Sequence, residues 1–502
     1  MPAPQEGWNE FATNEKLLIV VLVPAFVRKG RSWRKHPIFS VNYIERRPQY
    51  SGNFGLKIAF QTVVPFLEST AHRIINDDDC GLNELREAGS TVKPTVLIAT
   101  TARWIPSARL AVALANAGFT VDAVCPSAHP IANTDAVRQI YRYRGFDALT
   151  SFSEAIAASK PDLIVPGDDL ATQHLHLFYD QERRKGDAGE PACSLIERSL
   201  GASENFPVLY ARTKFIKLAQ EEGIRVPQTA VIHFSSDLKE WIAQTDFPIV
   251  LKADGSSGGD GVKVARTWED AKRALRALQA PPLLARAAKR ALIDRDSRLL
   301  WPSLLRRRSI VNAQTFVAGR EATSSMVCWK GKVLAELHFE VLNKVAPAGH
   351  ASVVRLIQNA EMSSASEKIA RRLDLSGLHG LDFMLEAQTE NAYLIEINPR
   401  LTQVAHLTLG PGRDLPAALY SAVSGQAVCP APKVTEDSTI ALFPQEWIRD
   451  PASPFLQSAY HDVPWDKPEL IRACVRARRK QADWYSQQSR VHAFSMSRLP
   501  RL

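Results

Sequence analysis

Cysteine is scarce and scattered. The six in 502 residues (Cys80, Cys125, Cys193, Cys328, Cys429 and Cys474) lie far apart and form no CxxC pair, so neither a disulfide framework nor a cysteine zinc site is indicated. A reduced, cytoplasmic setting is the expectation. Long hydrophobic runs are missing as well. The longest, at 17–27, has about 11 residues, too few to span a bilayer. It contains Pro24 and follows an acidic segment, which argues against a cleaved signal. No zinc finger, helix-turn-helix or RNP-type motif is present, so no nucleic acid partner is expected.

What remains is ordinary globular composition, 45% hydrophobic and 23% charged. The length suggests roughly three domains on a prior of about 150 residues each. The net charge of +9 permits anionic substrates, nucleic acid or membrane headgroups and does not choose among them.

Residues 1–92 mix aromatic and basic side chains (Trp33, Arg34, Lys35, Tyr43, Arg46, Arg47) and form an extension without an assignable role. The pattern changes after it. An apolar strand is predicted at 95–100, a helix at 107–117 ending at Gly118, and strands at 120–125 and 162–165, the last leading into Pro-Gly-Asp-Asp at 166–169. Strands alternating with helices predict a parallel sheet. Ligands of such sheets sit beyond the carboxyl ends of the strands, which makes the loops 101–106 and 167–169 candidate substrate contacts; ordinary turn chemistry is the other reading. His174 and His176 are two apart on a helix and face different directions, which excludes a metal pair there.

A helix capped by Thr213 and ending at Gly223 places Lys214 in its first turn, where a cation opposes the helix dipole and hints at an anionic partner. Residues 248–253 form an apolar strand interrupted by Lys252. A glycine loop follows, with Gly255, Ser256, Ser257, Gly258, Gly259 and Gly261, and a second strand at 262–265. Such a loop between two strands either lays bare backbone N–H groups over phosphates, which Lys252 would also meet, or is a flexible hairpin tip. A dinucleotide fingerprint and a Walker A loop are excluded, because both open a helix and this loop runs into strand-like alternation.

The segment 281–308 is an arginine-rich amphipathic insertion; a solvated face is favoured over membrane contact through 286–308. Strands are expected at 310–318, 333–341 and 351–357, helices at 361–373 and 415–423, and a basic tail without a chemical motif at 431–502.

The most informative stretch is 380–400, GLDFMLEAQTENAYLIEINPR. Residues 381–386 and 392–397 alternate apolar and polar around a polar turn, as paired antiparallel strands do. Centring the turn on Thr389 sets Asp382 opposite Glu396 and Met384 opposite Leu394. Asp382, Glu396 and Asn398 then share a face, with opposed Cβ atoms roughly 5 Å apart. Two carboxylates that close repel unless a cation lies between them, and this oxygen set suits Mg2+. A solvated hairpin face is the alternative for this segment alone. Arg400 could hold a further anion.

Taken in order, Lys214, Lys252 with its glycine hairpin, Gln314-Thr-Phe-Val-Ala-Gly with Glu321, and Asp382 with Glu396-Ile-Asn-Pro-Arg400 resemble the ATP-grasp superfamily. The layout is similar to its D-alanine:D-alanine ligase and carbamoyl-phosphate synthase branches, over roughly residues 95–430. The resemblance implies an α/β protein: a Rossmann-like pre-ATP-grasp domain (93–208) followed by a two-lobed ATP-grasp fold (209–430), with a lid lobe at 209–280, the insertion at 281–308 and a metal-binding lobe at 309–430. By it, Lys214 and Lys252 bind ATP phosphates and the glycine hairpin closes over them. Gln314 and the backbone of Phe316 and Val317 meet the adenine, and Glu321 the ribose. Asp382, Glu396 and Asn398 hold Mg2+ or Mn2+, and Lys252 and Arg400 are catalytic.

Two departures stand out: Gln314 where many members have Glu, and Gly380 where some ligases place an arginine. The implied activity is ATP-dependent joining of a small carboxylate, activated as an acylphosphate, to an amine. The alternatives are a carboxylase or carbamoyl-phosphate-type enzyme and a non-catalytic ATP-binding regulator. A homo-oligomer is compatible with all three.

Overall fold

The apolar run at 17–27 is one arm of a β-hairpin: β1 (Leu17–Lys29) pairs antiparallel with β2 (Ser32–Ile44), from Leu17 opposite Ile44 to Lys29 opposite Ser32. The computed structural model describes residues 17–29, 32–44, 93–254, 261–280, 309–346 and 349–476. It divides into two units, 1–90, which contains this hairpin, and 91–502. Among the described residues no helix is long and apolar enough to cross a membrane. Most of the glycine loop (255–260), the arginine-rich insertion and the end of the tail lie outside the described residues.

The second unit opens with a four-stranded parallel sheet in the order β5-β4-β3-β6, built from β3 (Thr95–Ala99), β4 (Thr120–Cys125), β5 (Val137–Arg142) and β6 (Leu163–Pro166). Successive residues go to opposite faces, as the twofold repeat of a strand requires. Val96, Ile98, Val121, Ala123, Leu163 and Val165 pack on the side of helix Ile105–Ala117, whereas Leu97, Val124 and Ile164 pack with Phe152, Leu175 and Ile196 of helices Ala148–Ser159, Asp169–Arg183 and Glu190–Leu200. Apolar residues on both faces explain the near-continuous hydrophobic runs that marked these strands in the sequence. This is the Rossmann-like domain.

The segment expected as the lid lobe contains an antiparallel sheet in the order β7-β10-β8-β9: β7 (Thr229–Ile232), β8 (Ile249–Ala253), β9 (Val262–Ala265) and β10 (Val311–Thr315). Helix Trp268–Gln279 covers it, and its core of Ile249, Leu251, Ala271, Leu275 and Val311 is separate from the others. The larger lobe is a seven-stranded sheet in the order β15-β14-β11-β12-β13-β16-β17. Its strands are β11 (Gly319–Trp329), β12 (Lys332–Lys344), β13 (Ala351–Ile357), β14 (Gly377–Glu386), β15 (Ala392–Asn398), β16 (Thr439–Leu442) and β17 (Tyr460–Asp462). One face buries Met326, Leu381, Phe383 and Leu394 against helices Arg212–Glu221 and Ala360–Arg372. The other buries Val327, Leu337, Phe339 and Val354 in the same cluster as the first domain's Val96, Leu110 and Leu114. The two domains therefore share a core, and the small lid sheet has its own.

Three expectations change. Helix 212–221 is capped by the backbone of Ala211, not by Thr213, whose hydroxyl bonds the side chain of Asn312 instead. The strand expected at 310–318 ends at Thr315: residues 316–318 carry the chain out of the lid sheet, and β11 begins at Gly319 in the other sheet. A Cβ at Gly319 would lie 1.9 Å from the Leu385 carbonyl oxygen, so only glycine fits this entry. The segment placed in a tail from 431 adds β16 and β17 to the large sheet, with Ile440 and Leu442 fully buried. Asp462 of β17 accepts from Arg109 of the first domain at 2.5 Å and bonds His406 at 2.8 Å.

Candidate active site

Hairpin β14–β15 pairs as read from the sequence at the decisive position, with Asp382 opposite Glu396. Beyond it the register differs. Phe383 faces Leu394 and Met384 faces Tyr393, where Met384 was expected opposite Leu394, because Ile395 is an unpaired extra residue. Its effect is to re-aim the strand. Leu394 enters the core while Glu396 and Asn398 line the cavity, which strict alternation could not achieve.

The carboxylate pair is held by named partners. Asp382 accepts from the Thr323 hydroxyl at 2.9 Å and the Asn398 amide at 2.9 Å. Glu396 accepts from Arg212 at 2.7 Å. Burial, then the neighbouring Glu396, pushes the Asp382 carboxyl up from its ordinary range. Burial works in the same direction on Glu396, but Arg212 and Lys252 outweigh it and hold that carboxyl below its usual value. Among the described residues no cluster of three or more His, Cys, Asp and Glu side chains could enclose a metal ion. Two carboxylates and an amide nevertheless suit Mg2+, which keeps waters and phosphate oxygens as its other ligands.

Lys252 sits on β8, paired with Asn312 and Val262, and is only 6% exposed. Burial lowers its ammonium to about 8, with Glu396 acting in the opposite sense. These groups line one cavity of about 640 Å3. Gln314, Thr315, Phe316 and Val317 form part of its wall where the chain passes from the smaller sheet to the larger one. The Gln314 amide is turned to the Thr229 hydroxyl at 3.0 Å, and Glu321 is tied to Lys344 at 2.6 Å.

Lys214 does not join the site. It is exposed and does not line the cavity; Arg212, two residues earlier on the same helix, does. The misplaced cap explains the slip: with Thr213 inside the helix, the first turn presents Arg212 to Glu396. Gly261 immediately precedes the return strand β9 and does not line the described cavity, and Gly255, Ser256, Ser257, Gly258 and Gly259 lie outside the described residues.

Arg400 follows β15 and donates to Asp169 at 2.9 Å, to Asn398 at 3.2 Å and to the Leu401 carbonyl at 3.0 Å, with its guanidinium carbon 5.3 Å from the centre of the Trp104 ring. Trp104 and Asp169 come from the two loops flagged at the carboxyl ends of β3 and β6. Asp168, beside them, is structural: it caps helix Asp169–Arg183 through Ala171 and accepts from Thr100, Thr101 and Ala102. Gly380, where an arginine was noted as absent, leaves no room for a side chain; a Cβ would lie 2.6 Å from Thr402 Cγ2. Sequence reasoning missed Arg212, Thr323 and Asp254. The first lies one helical residue outside its assigned cap, and Asp254 bonds Asn312 across the lid strands.

Residues 211–410 match the family described as carbamoyl-phosphate synthase L chain, ATP binding domain. The chain is 23% identical over 226 residues to a carbamoyl-phosphate synthase of Methanobrevibacter smithii, covering 42% of this chain and 54% of that relative, so it spans about half the relative's length. Among solved structures it is similar to the biotin carboxylase domain of the Hydrogenobacter thermophilus 2-oxoglutarate carboxylase with MgADP, ADP and bicarbonate (13% identity, TM-score 0.47, 66% of this chain and 70% of that one). It is also similar to the Staphylococcus aureus N5-carboxyaminoimidazole synthetase with ADP (14% identity, TM-score 0.46, 67% and 79%). Residues 211–410 of this chain are an ATP-grasp domain.

Proposed function

We propose that this chain is an ATP-dependent ligase that activates a small carboxylate as an acylphosphate and joins it to an amine. The observation that carries the reading is the opposed Asp382–Glu396 pair beside the buried Lys252, in a cavity that reaches the 314–317 connection. Asp382, Glu396 and Asn398 would hold Mg2+, which neutralises charge on the nucleotide phosphates. Lys252 and Arg212, both largely buried, add positive charge where it acts more strongly than in open water. Gln314 and the backbone of 316–317 offer the adenine an edge.

In the first step a substrate carboxylate oxygen attacks the γ-phosphorus. The bond to the β–γ bridging oxygen breaks, and ADP leaves with that electron pair. In the second, the amine nitrogen attacks the acyl carbon, phosphate departs, and the nitrogen loses a proton to solvent. Arg400, beside Asn398, stabilises charge on the acylphosphate.

The test is ADP release with Mg2+ in the presence of pooled small carboxylates and amines, with products read by mass spectrometry. A product lighter by one water than the sum of acid and amine is expected. In Asp382→Asn, release falls on the order of a hundredfold or more, the scale of losing one electrostatic contact to the transition state. Unchanged release in that variant would refute the metal assignment. The family description favours a second reading, a carboxylase or carbamoyl-phosphate-type reaction, for which bicarbonate alone would stimulate release.

A further inference from the structure

Where the first domain meets the large sheet, the cavity wall is built from Trp104, Asp169, Tyr210, His350, Arg400 and Gln403. Asp169 and Arg400 form an ion pair at 2.9 Å, and Arg400 lies over the Trp104 ring, which is 5.8 Å from the ring of His350. Two polar atoms here are buried without a partner among the described residues: the Tyr210 hydroxyl and Gln403 Oε1, whose amide nitrogen is spent on the Ala351 carbonyl at 3.1 Å. A buried donor and a buried acceptor left open beside a cavity are costly unless a ligand completes them.

We infer that this end of the cavity binds an α-amino acid, and that its carboxylate is the one activated; the inference rests on the ligase reading above. The wall carries both charges of a zwitterion next to each other. Arg400 would take the carboxylate, with the Tyr210 hydroxyl as a second donor, and Asp169 would take the ammonium, with Gln403 Oε1 as a second acceptor. The orientation follows from Arg400. It bonds Asn398, which bonds Asp382, so the carboxylate half faces the phosphoryl site and the ammonium half faces the first domain. The Trp104 ring offers a flat apolar wall to the side chain.

A ligand with a carboxylate and no ammonium is disfavoured. It would draw Arg400 from Asp169 and leave a part-buried carboxylate unpaired. Bicarbonate is such a ligand.

The test is calorimetric titration of the full chain with individual L-α-amino acids and, for each, with the des-amino acid and the carboxamide of the same side chain, alone and with AMP-PNP and Mg2+. Titration of AMP-PNP itself reads the nucleotide site separately. At least one amino acid is expected to bind, and removing either charge from it weakens binding about tenfold or more, the scale of one charged hydrogen bond. In Asp169→Asn the preference for the amino acid over its des-amino form shrinks to within about threefold, because the group that reads the ammonium is gone. The inference is overturned if des-amino acids or bicarbonate bind the wild-type chain as tightly as any amino acid, or if AMP-PNP binds and no amino acid does. Failure of AMP-PNP to bind while an amino acid binds would sink the nucleotide reading and leave the zwitterion site standing. The wild-type comparison decides the matter even where Asp169→Asn folds poorly.

Discussion

Lys252 is held in a place that costs folding energy, so removing it should make the protein more stable and less able to bind nucleotide. The residue is 6% exposed, and its ammonium is lowered from 10.5 to about 8, chiefly by burial. A depressed lysine works against folding wherever the unfolded chain stays protonated. The penalty is full below about pH 8 and fades as pH rises toward the unfolded value. At 1.36 kcal/mol per pH unit this comes to about 3 kcal/mol at pH 7 and about 1 kcal/mol at pH 9.5. Lys252→Met keeps the side-chain volume and leaves Glu396 with Arg212 at 2.7 Å, so the carboxylate is not stranded. The variant should therefore unfold at higher urea at pH 7, with a gap that narrows by pH 9.5. Its affinity for AMP-PNP with Mg2+ should fall by about 10- to 150-fold, the value of a charged hydrogen bond of about 1.5–3 kcal/mol. Nucleotide binding as tight as in the wild type would refute the phosphate contact. Lower stability at pH 7 would refute the burial argument.

Two further outcomes test the architecture around the site. Asp462→Ala removes the carboxylate that holds Arg109 and His406, leaving a guanidinium only 12% exposed without its ion partner. Urea denaturation should show a loss of about 3 kcal/mol or more, whereas a surface tail residue would change stability by less than about 0.5 kcal/mol. Gly380→Ala drives a methyl into Thr402 Cγ2, whose hydroxyl is fixed to Ser325 at 2.6 Å, and should cost about 1–3 kcal/mol. Adding Thr402→Ser, which deletes that methyl and keeps the hydroxyl, should restore most of the stability and, with it, metal-dependent ADP release. No recovery would show that the strain lies elsewhere.

Short-range patterns announced the parts of this protein that obey short-range rules. Strands β3, β4 and β6 stand out because burial on both faces demands unbroken apolar runs. The pairing of Asp382 with Glu396 follows from a turn of readable length, and Lys252 is conspicuous as a lone charge in an apolar strand. The segment 314–317, which lines the cavity, could be picked out through its order relative to these landmarks. Tertiary structure decided what depends on residues distant in sequence. The unpaired Ile395 sends Leu394 to the core and Glu396 to the cavity, because one strand must serve both the helices beneath it and the site above it. The break after Thr315 exists because the chain changes sheets there, and β16 and β17 are strands because an open sheet edge and Arg109 were waiting for them. Arg212 reaches Glu396 across 184 positions, and Arg400 reaches Asp169 across 231. Neither pairing has a local signature, since an ion pair of that span is set by how whole domains pack and not by the residues on either side of it.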